Sequence, residues 1–398
     1  MHILCAEGSD RDVYGMAGDK RMMKQIMVYY LCVCLLVIPH RGYTTGRDGE
    51  TDLTVFLNKL FEARTQLLIE NNPHIIEKYY NLQQKTSRYA LQQENKRANY
   101  IQKWAETRGV TFTEAKGNIR ISRTKVKGNT ATVSLLHTLK LTYRYTGKNM
   151  SSHSFGIGTR HGIRLEKNET GWHVIREWYS DPIEENPDTI PSDSVKDMPY
   201  IHALILNAAV DKSEPVTRTK KYNREKAVAY ANKYAGAAWG AGNDHRYNPK
   251  YKDYNYIGGD CTNFASQVLG DPEEGGGLPM RGGWYYRYKQ GGSTAWVRTD
   301  SFKNFLVYSG YGKVIARGVY SDVVKPTMKN PTGAIARLQP GDLIGYEMNG
   351  DIDHFSIVVG RDENGYALVN SHTGDRYRVP WDLGWDKYTK FVLIHIRD

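Results

Sequence analysis

An α+β fold is predicted for this 398-residue chain from three observations. Between residues 52 and 106 apolar residues recur at helical spacing. After Gly109 the period changes to two and stays there to about residue 180. The later half repeats the order on a smaller scale, a helix after the turn GGD (258–260) and then four strand-like segments. Helices first and strands afterwards describes an α+β arrangement rather than alternating βαβ units.

The first elements follow from their apolar stripes. Asp52 caps a predicted helix whose Leu53, Phe56, Leu57, Leu60, Phe61, Leu67 and Leu68 share one face. A second helical stretch runs from about Pro73 to Tyr80, and a third from about Leu91 to Glu106 with Tyr100, Ile101 and Trp104 inward. Ile119 and Ile121 then alternate with polar residues. Gly128-Asn129 makes a hairpin turn, and Ala131, Val133, Leu135, Leu139 and Leu141 continue the pattern. Two more strands are expected from about Ser152 to Glu166 and from Trp172 to Tyr179. His137, His153, His161 and His173 fall here without metal-ligand spacing, and are read as strand or surface histidines. The prolines and acids of DPIEENPDTIPSDS have linker composition, which places a connection over 181–221.

Composition bounds function less tightly. A formal net charge of +11 fits attraction to an anionic polymer, whether nucleic acid, a membrane surface or a phosphate-rich wall. No dense basic tract or nucleic-acid signature selects nucleic acid. Lys20, Arg21 and Lys24 precede an apolar run from Ile26 to Ile38, short for a membrane span and suited to a secretory signal. The polar lead ahead of it suggests a start at Met22 or Met23. No small-x-small cleavage site stands near 40–46, so an uncleaved anchor is an alternative, and residues 1–45 are assigned as an N-terminal extension with this segment. Three of the four cysteines, Cys5, Cys32 and Cys34, lie in or before it. With the segment removed, Cys261 is the only cysteine in the exported protein, and such a thiol calls for a functional explanation.

Around Cys261 the residues suggest chemistry. Gly258 and Gly259 permit a tight turn, and Asp260 stands at an N-cap position before a helix with Phe264, Ala265, Val268 and Leu269 on its apolar side. Cys261 is thereby in the first turn, where backbone N–H groups and the helix dipole favour a thiolate and could receive an oxyanion. A base candidate is His354, heading the strand DHFSIVVG, with His354, Ser356 and Val358 on one face and Phe355, Ile357 and Val359 on the other. A cysteine–histidine pair needs a third group to orient the imidazole. Asn370 and His372, two apart on the next strand with Leu368, are the candidates, ahead of Asp375 in the turn beyond. Oxyanion donors are the Cys261 N–H and, less directly, Asn255 or Tyr256. Upstream, Asn223 caps a helix carrying Ala227, Ala231 and Tyr234, and downstream Thr299 can cap another with Phe302, Phe305 and Leu306.

The run from Tyr222 to the C-terminus resembles the amidase domain of exported Gram-positive bacterial proteins, a member of the papain-like group with the CHAP amidases and wall-peptide endopeptidases. The resemblance lies in YNREKAVAYANKYA, NPKY, GGDCTNFASQ, Trp284 and Trp296, QPGDLI, DHFSIVVG and NSHTGDR. It implies a nucleophile helix packed on an antiparallel sheet, with the nucleophile at Cys261, the base at His354 and the third residue at His372. The element order over 52–180 resembles the cone-shaped nuclear-transport-factor-like (SnoaL-like) fold.

Two domains are therefore expected, an accessory α+β domain over 52–180 and a papain-like amidase domain over 222–398. The expected function is an exported cysteine hydrolase of amide bonds in cell-wall peptides, with peptidoglycan or another anionic wall polymer as its substrate partner. No metal or organic cofactor and no nucleic acid are implied, and membrane contact only through an uncleaved anchor. Two rivals use the same features: a wall-binding module that does not cleave, and an acyltransferase or transglutaminase-like enzyme with the same Cys–His pair.

Overall fold

The computed structural model describes residues 47–183, 185–191 and 222–398. The apolar segment Ile26–Ile38, Cys5, Cys32 and Cys34, and residues 192–221 lie outside the described residues. From Val55 onward the described chain forms one compact unit. Among the described residues no helix is long and apolar enough to cross a membrane.

Helix α1 (Arg47–Glu70) buries Leu57, Leu60, Phe61, Leu67 and Leu68, the stripe its periodicity predicts, although it begins upstream of Asp52. After the short α2 (His74–Glu77), α3 (Lys85–Arg108) buries Tyr100, Ile101 and Trp104. It starts earlier than Leu91, because Ser87 is a buried polar position that hides the apolar period and donates its hydroxyl to the Val174 carbonyl. Gly109 ends it at φ +64°, the left-handed cap that glycine adopts without steric cost. Strands β1 (Val110–Lys127), β2 (Thr130–Tyr145), β3 (His153–Asn168) and β4 (Gly171–Tyr179) then pair antiparallel in sequence order.

The four histidines His137, His153, His161 and His173 are on strands, but His137 and His161 are buried rather than superficial. His161 Nδ1 lies 2.8 Å from Glu177 Oε1, and Glu177 also accepts from Arg64 of α1, 2.9 Å from Oε1. Burial pushes the His161 and His137 imidazoles below the usual histidine range. Burial would raise the Glu177 carboxyl, but the Arg64 charge and the His161 hydrogen bond outweigh it and hold Glu177 low.

The later half places α4 (Arg224–Lys233) and α5 (Cys261–Gly270) on one face of a sheet. Asn223 caps α4 as predicted, its Oδ1 accepting from Lys226 N at 3.0 Å. The hairpin strands β5 (Tyr286–Arg287) and β6 (Gly291–Gly292) lead into α6 (Thr294–Val297) and α7 (Thr299–Tyr308). Thr299 opens α7 itself, and Arg298 takes the cap position without a side-chain bond. Strand β7 (Gly312–Gly318), α8 (Tyr320–Val324) and the strands β8 (Leu343–Met348), β9 (Asp351–Arg361), β10 (Ala367–Ser371), β11 (Asp375–Pro380) and β12 (Lys390–Ile396) complete the chain.

The sheet does not stop between the halves. Its order is β1-β2-β3-β11-β10-β9-β8-β12-β7, with β4 on β3, ten strands in all. The seam is β3 against β11, where Gly158, Ile157 and Gly156 face Asp375, Arg376 and Tyr377. Glycine is required there: a Cβ at Gly156 would fall 1.9 Å from the Trp239 carbonyl oxygen, and one at Gly158 2.4 Å from the Ala237 carbonyl carbon. Across the seam Arg108 Nη2 pairs with Asp382 at 2.6 Å, with the carboxylate fully buried. The Tyr143 and Tyr145 hydroxyls donate to Asp362 at 2.6 and 2.7 Å.

Residues 181–191 have linker composition but are packed. Ile183 and Ile190 are buried, Asp181 meets Arg97, and the Pro191 carbonyl accepts from Arg108 at 2.9 Å. Composition reports polarity, not the buried partner that satisfies it.

Candidate active site

Helix α5 is buried along its whole length, so its first residue is placed by packing on all sides. Trp296 Nε1 donates to Asn263 Oδ1 at 2.9 Å, Trp284 Nε1 to Ser266 Oγ at 2.9 Å, and the Tyr230 hydroxyl to Gln267 at 2.8 Å. Gly258 and Gly259 precede it at φ +113° and +115°. Only glycine adopts these values readily, so the turn that delivers Cys261 to the helix start is written into the sequence.

Asp260 holds the N-cap position, yet its carboxylate makes no capping bond. Oδ1 accepts from Tyr254 N and Asn263 Nδ2, both at 2.8 Å, and Oδ2 faces His372 Nδ1 at 2.6 Å. The other ring nitrogen, His372 Nε2, donates to the Tyr234 carbonyl at 2.6 Å. A carbonyl can only accept, so Nε2 carries a proton. One further proton then sits between Nδ1 and Asp260. The pair is either imidazolium with carboxylate, or neutral imidazole with carboxylic acid. Burial pushes the Asp260 carboxyl up, and its hydrogen bond with His372 opposes that rise. The ring itself is clamped between Tyr247 and Phe264, each 3.7 Å away centroid to centroid and nearly parallel at 10° and 12°.

Cys261 is buried and is disulfide-bonded in this structure. Its sulfur lies 3.7 Å from Thr262 Oγ1. Asp260 is the residue directly before it, and the His372 ring that pairs with Asp260 stacks on Phe264, about one turn along the same helix.

The structure does not bring His354 to Cys261. His354 neighbours Tyr346 and Trp385, with ring centroids 5.8 and 5.6 Å away, and these belong to the core on the sheet face opposite α5. Phe355, Ile357 and Val359 are the residues that face α5. Alternation separates the two sets correctly, but both faces of β9 are buried, so periodicity alone does not say which one meets the helix. Among the described residues His354 Nε2 has no hydrogen-bond partner, and burial, then the charges of Arg376 and His372, push its pKa well below the usual range.

The remaining candidates divide. Leu368, Asn370 and His372 share the α5 face, as expected from their spacing. Asn370 is consumed in holding α4, donating to the Ala231 carbonyl at 3.0 Å and accepting from Arg378 N at 2.6 Å. Among the described residues none of its hydrogen bonds goes to an imidazole. Asn255 donates to the Tyr247 hydroxyl at 3.0 Å and to Asp253 at 2.7 Å, while its oxygen accepts from Thr373. Its amide is thus not directed at an oxyanion. Tyr256 is 80% exposed. Reasoning from sequence missed Asp260 as the partner of His372, and Tyr247 and Tyr234 as its supports. The aromatic richness of the segment before Gly258 is the one signal that could have pointed to them.

The sequence around this site matches known proteins. Residues 221–395 match the family model described as "Putative amidase domain". An amidase-type domain is therefore present, and it contains Cys261, Asp260, His354 and His372. An uncharacterized protein, YhbB of Bacillus subtilis (strain 168), is 31% identical over 202 residues, 48% of this chain and 55% of the relative. The chain thus spans about half the length of the curated relative it matches. Among solved structures, a nuclear-transport-factor-2-like protein from Salmonella enterica is 17% identical, covering 32% of this chain and 90% of its own, with TM-score 0.22. Another from Shewanella baltica is 10% identical, covering 34% and 96%, with TM-score 0.20.

Proposed function

We propose that this protein is an exported cysteine-dependent amide hydrolase acting on cell-wall peptides, with Cys261 as nucleophile. The observation that carries the reading is the Asp260–His372 pair, built onto the first turn of the helix that Cys261 opens, inside the segment that matches an amidase family. His372, in place of His354, is assigned as the proton-transfer partner, and Asp260 orients it.

In the reduced enzyme, the helix N-terminus and the Asp260–His372 pair built onto its first turn, taken in its imidazolium–carboxylate form, stabilise the Cys261 thiolate. The thiolate attacks the amide carbonyl, and first-turn N–H groups receive the oxyanion. The C–N bond breaks as the leaving amine takes a proton from His372, and a water molecule, giving its proton back to His372, hydrolyses the thioester. That transfer requires the Nε2–H to leave the Tyr234 carbonyl. Wall peptide as substrate rests on the basic net charge and on the secretory segment over Ile26–Ile38. The accessory role of 52–180 and the papain-like layout of 222–398 belong to the same proposal.

One observation favours a second reading, a scaffold that binds wall polymer without cutting it. Cys261 is buried in a disulfide, and both His372 nitrogens are satisfied inside the protein. Digestion of purified wall fragments under thiol reductant, followed by mass spectrometry, separates the two. New amine and carboxyl ends with wild type but not with Cys261→Ala support hydrolysis. Fragments bound but intact with both proteins support the scaffold.

A further inference from the structure

The support of His372 continues beyond the amidase-like segment. Tyr247, which stacks on the His372 ring, donates its hydroxyl to Asp375 Oδ1. Asp375 is fully buried, and its Oδ2 accepts from Ala237 N at 2.8 Å and pairs with Arg160 Nη2 at 3.1 Å. The Arg160 guanidinium also lies over the Tyr247 ring, 5.1 Å from its centroid. Arg160 belongs to β3, the strand of the first half that pairs with β11 at the seam. A single cation from the first half therefore touches both groups that hold the outer face of the His372 clamp.

We propose that Arg160 is a positioning residue for His372, acting through Tyr247 and Asp375, so that the first half completes the site of the second. Physically, the guanidinium neutralises a buried carboxylate that would otherwise have to protonate or move, and it fixes the ring plane against which His372 is stacked. With Arg160 in place, Asp375 stays paired and Tyr247 stays parallel to the imidazole. Without it, Asp375 keeps one backbone N–H and one phenol, and the clamp loses its anchor. Alignment of His372 with Asp260 then loosens, although Arg160 touches neither.

The inference rests on the nucleophile reading for its chemical consequence, but not for its structural one, and two measurements on the full-length reduced protein keep them apart. The first is the nitrogen NMR signature of the His372 ring, which reports the proton between Nδ1 and Asp260. The second is the rate of Cys261 alkylation by iodoacetamide against pH, followed by peptide mass spectrometry. The charged and titratable groups around His372 are Asp260 beside Nδ1, Cys261 on the same helix, Tyr247 and Asp375 from the clamp, Arg160 behind them, and His354 across the sheet.

In Arg160→Met we expect the His372 ring signals to shift and alkylation at pH 6 to slow about tenfold, the loss of about one pKa unit of thiol activation. Arg160→Lys keeps a cation near Asp375 and should stay within about threefold of wild type. If Arg160→Met does not fold, Tyr247→Phe serves, since it keeps the stacked ring but cuts the hydroxyl from Asp375, and the same shifts are expected. Ring signals and profile that overlay wild type in the variant that folds overturn the inference. A wild-type profile centred at the free-thiol value of about 8.5 overturns the nucleophile reading instead.

Discussion

Arg108 and Asp382 offer a direct measure of how far the two halves depend on each other. Arg108 ends α3 in the first half, and Asp382 follows β11 in the second. Asp382 Oδ2 accepts from Arg108 Nη2 at 2.6 Å, Arg108 Nε at 2.9 Å and Trp104 Nε1 at 3.1 Å, and Oδ1 accepts from the Tyr366 hydroxyl at 2.7 Å. The carboxylate is fully buried and Arg108 is 7% exposed, so solvent screens the pair little. Arg108→Met leaves the carboxylate with two neutral donors and no ion-paired cation. Removing one member of a buried ion pair costs about 3–5 kcal/mol, a large share of the roughly 5–15 kcal/mol that holds a protein folded. The melting temperature should fall by about 6–10 °C, taking roughly 2 °C per kcal/mol for a unit of this size. Adding Asp382→Asn removes the stranded charge. The amide can accept from Trp104 and donate to the Tyr366 hydroxyl, so the double variant should recover much of the loss. The assay is urea and thermal unfolding followed by tryptophan fluorescence and circular dichroism. One cooperative transition should move with both probes. A loss below about 1 kcal/mol, or a split into two transitions of which only one moves, would refute the argument that the seam joins the halves into a single folding unit.

Three further outcomes are expected. Asp260→Asn presents a neutral side chain to His372 Nδ1 and so holds the ring in its neutral form, since Nε2 already donates to Tyr234; the midpoint of Cys261 alkylation should rise towards about 8.5, and an unmoved midpoint would exclude the charged pair as the activator. His354→Ala, on the opposite sheet face, should leave that alkylation profile within about twofold of wild type while lowering stability by about 1–3 kcal/mol; a shifted profile at unchanged stability would return His354 to the site. Stability should fall as pH drops below about 6.5: His137 and His161 have folded pKa values pushed down by burial, so their stabilisation is present above the unfolded value and is lost as pH falls through the folded one, while Glu177, held low by Arg64 and His161, adds its loss only below the ordinary carboxylate value of 4.5. Calorimetric scans between pH 4 and 8 measure this, and a flat profile would contradict it.

The local parts of the structure were legible because they depend on near neighbours in the chain. The stripe of α1, the hairpin at Gly128-Asn129, the glycine turn before Cys261 and the Asn223 cap all follow from spacing and backbone preference. The shared face of Leu368, Asn370 and His372 follows from the strand period. Which face of β9 meets the helix was not legible. Val358 and Tyr346 on one side and Phe355 and Ile357 on the other are all buried, so the apolar pattern is the same in both directions.

What the sequence by itself determined, then, is the α+β class, the elements and their faces, and the position of Cys261 at a helix start beside a carboxylate. Tertiary structure alone decided that Asp260 turns from its cap to meet His372, 112 residues away, that His354 goes to the other core, and that β3 joins β11 to bring Arg160 behind the clamp. The physical reason is range. Backbone dihedrals and capping act over a few residues and leave a trace in local spacing. A buried carboxylate, in contrast, takes whichever partner the folded chain brings within hydrogen-bonding distance, and only the packing of the whole sheet selects that partner.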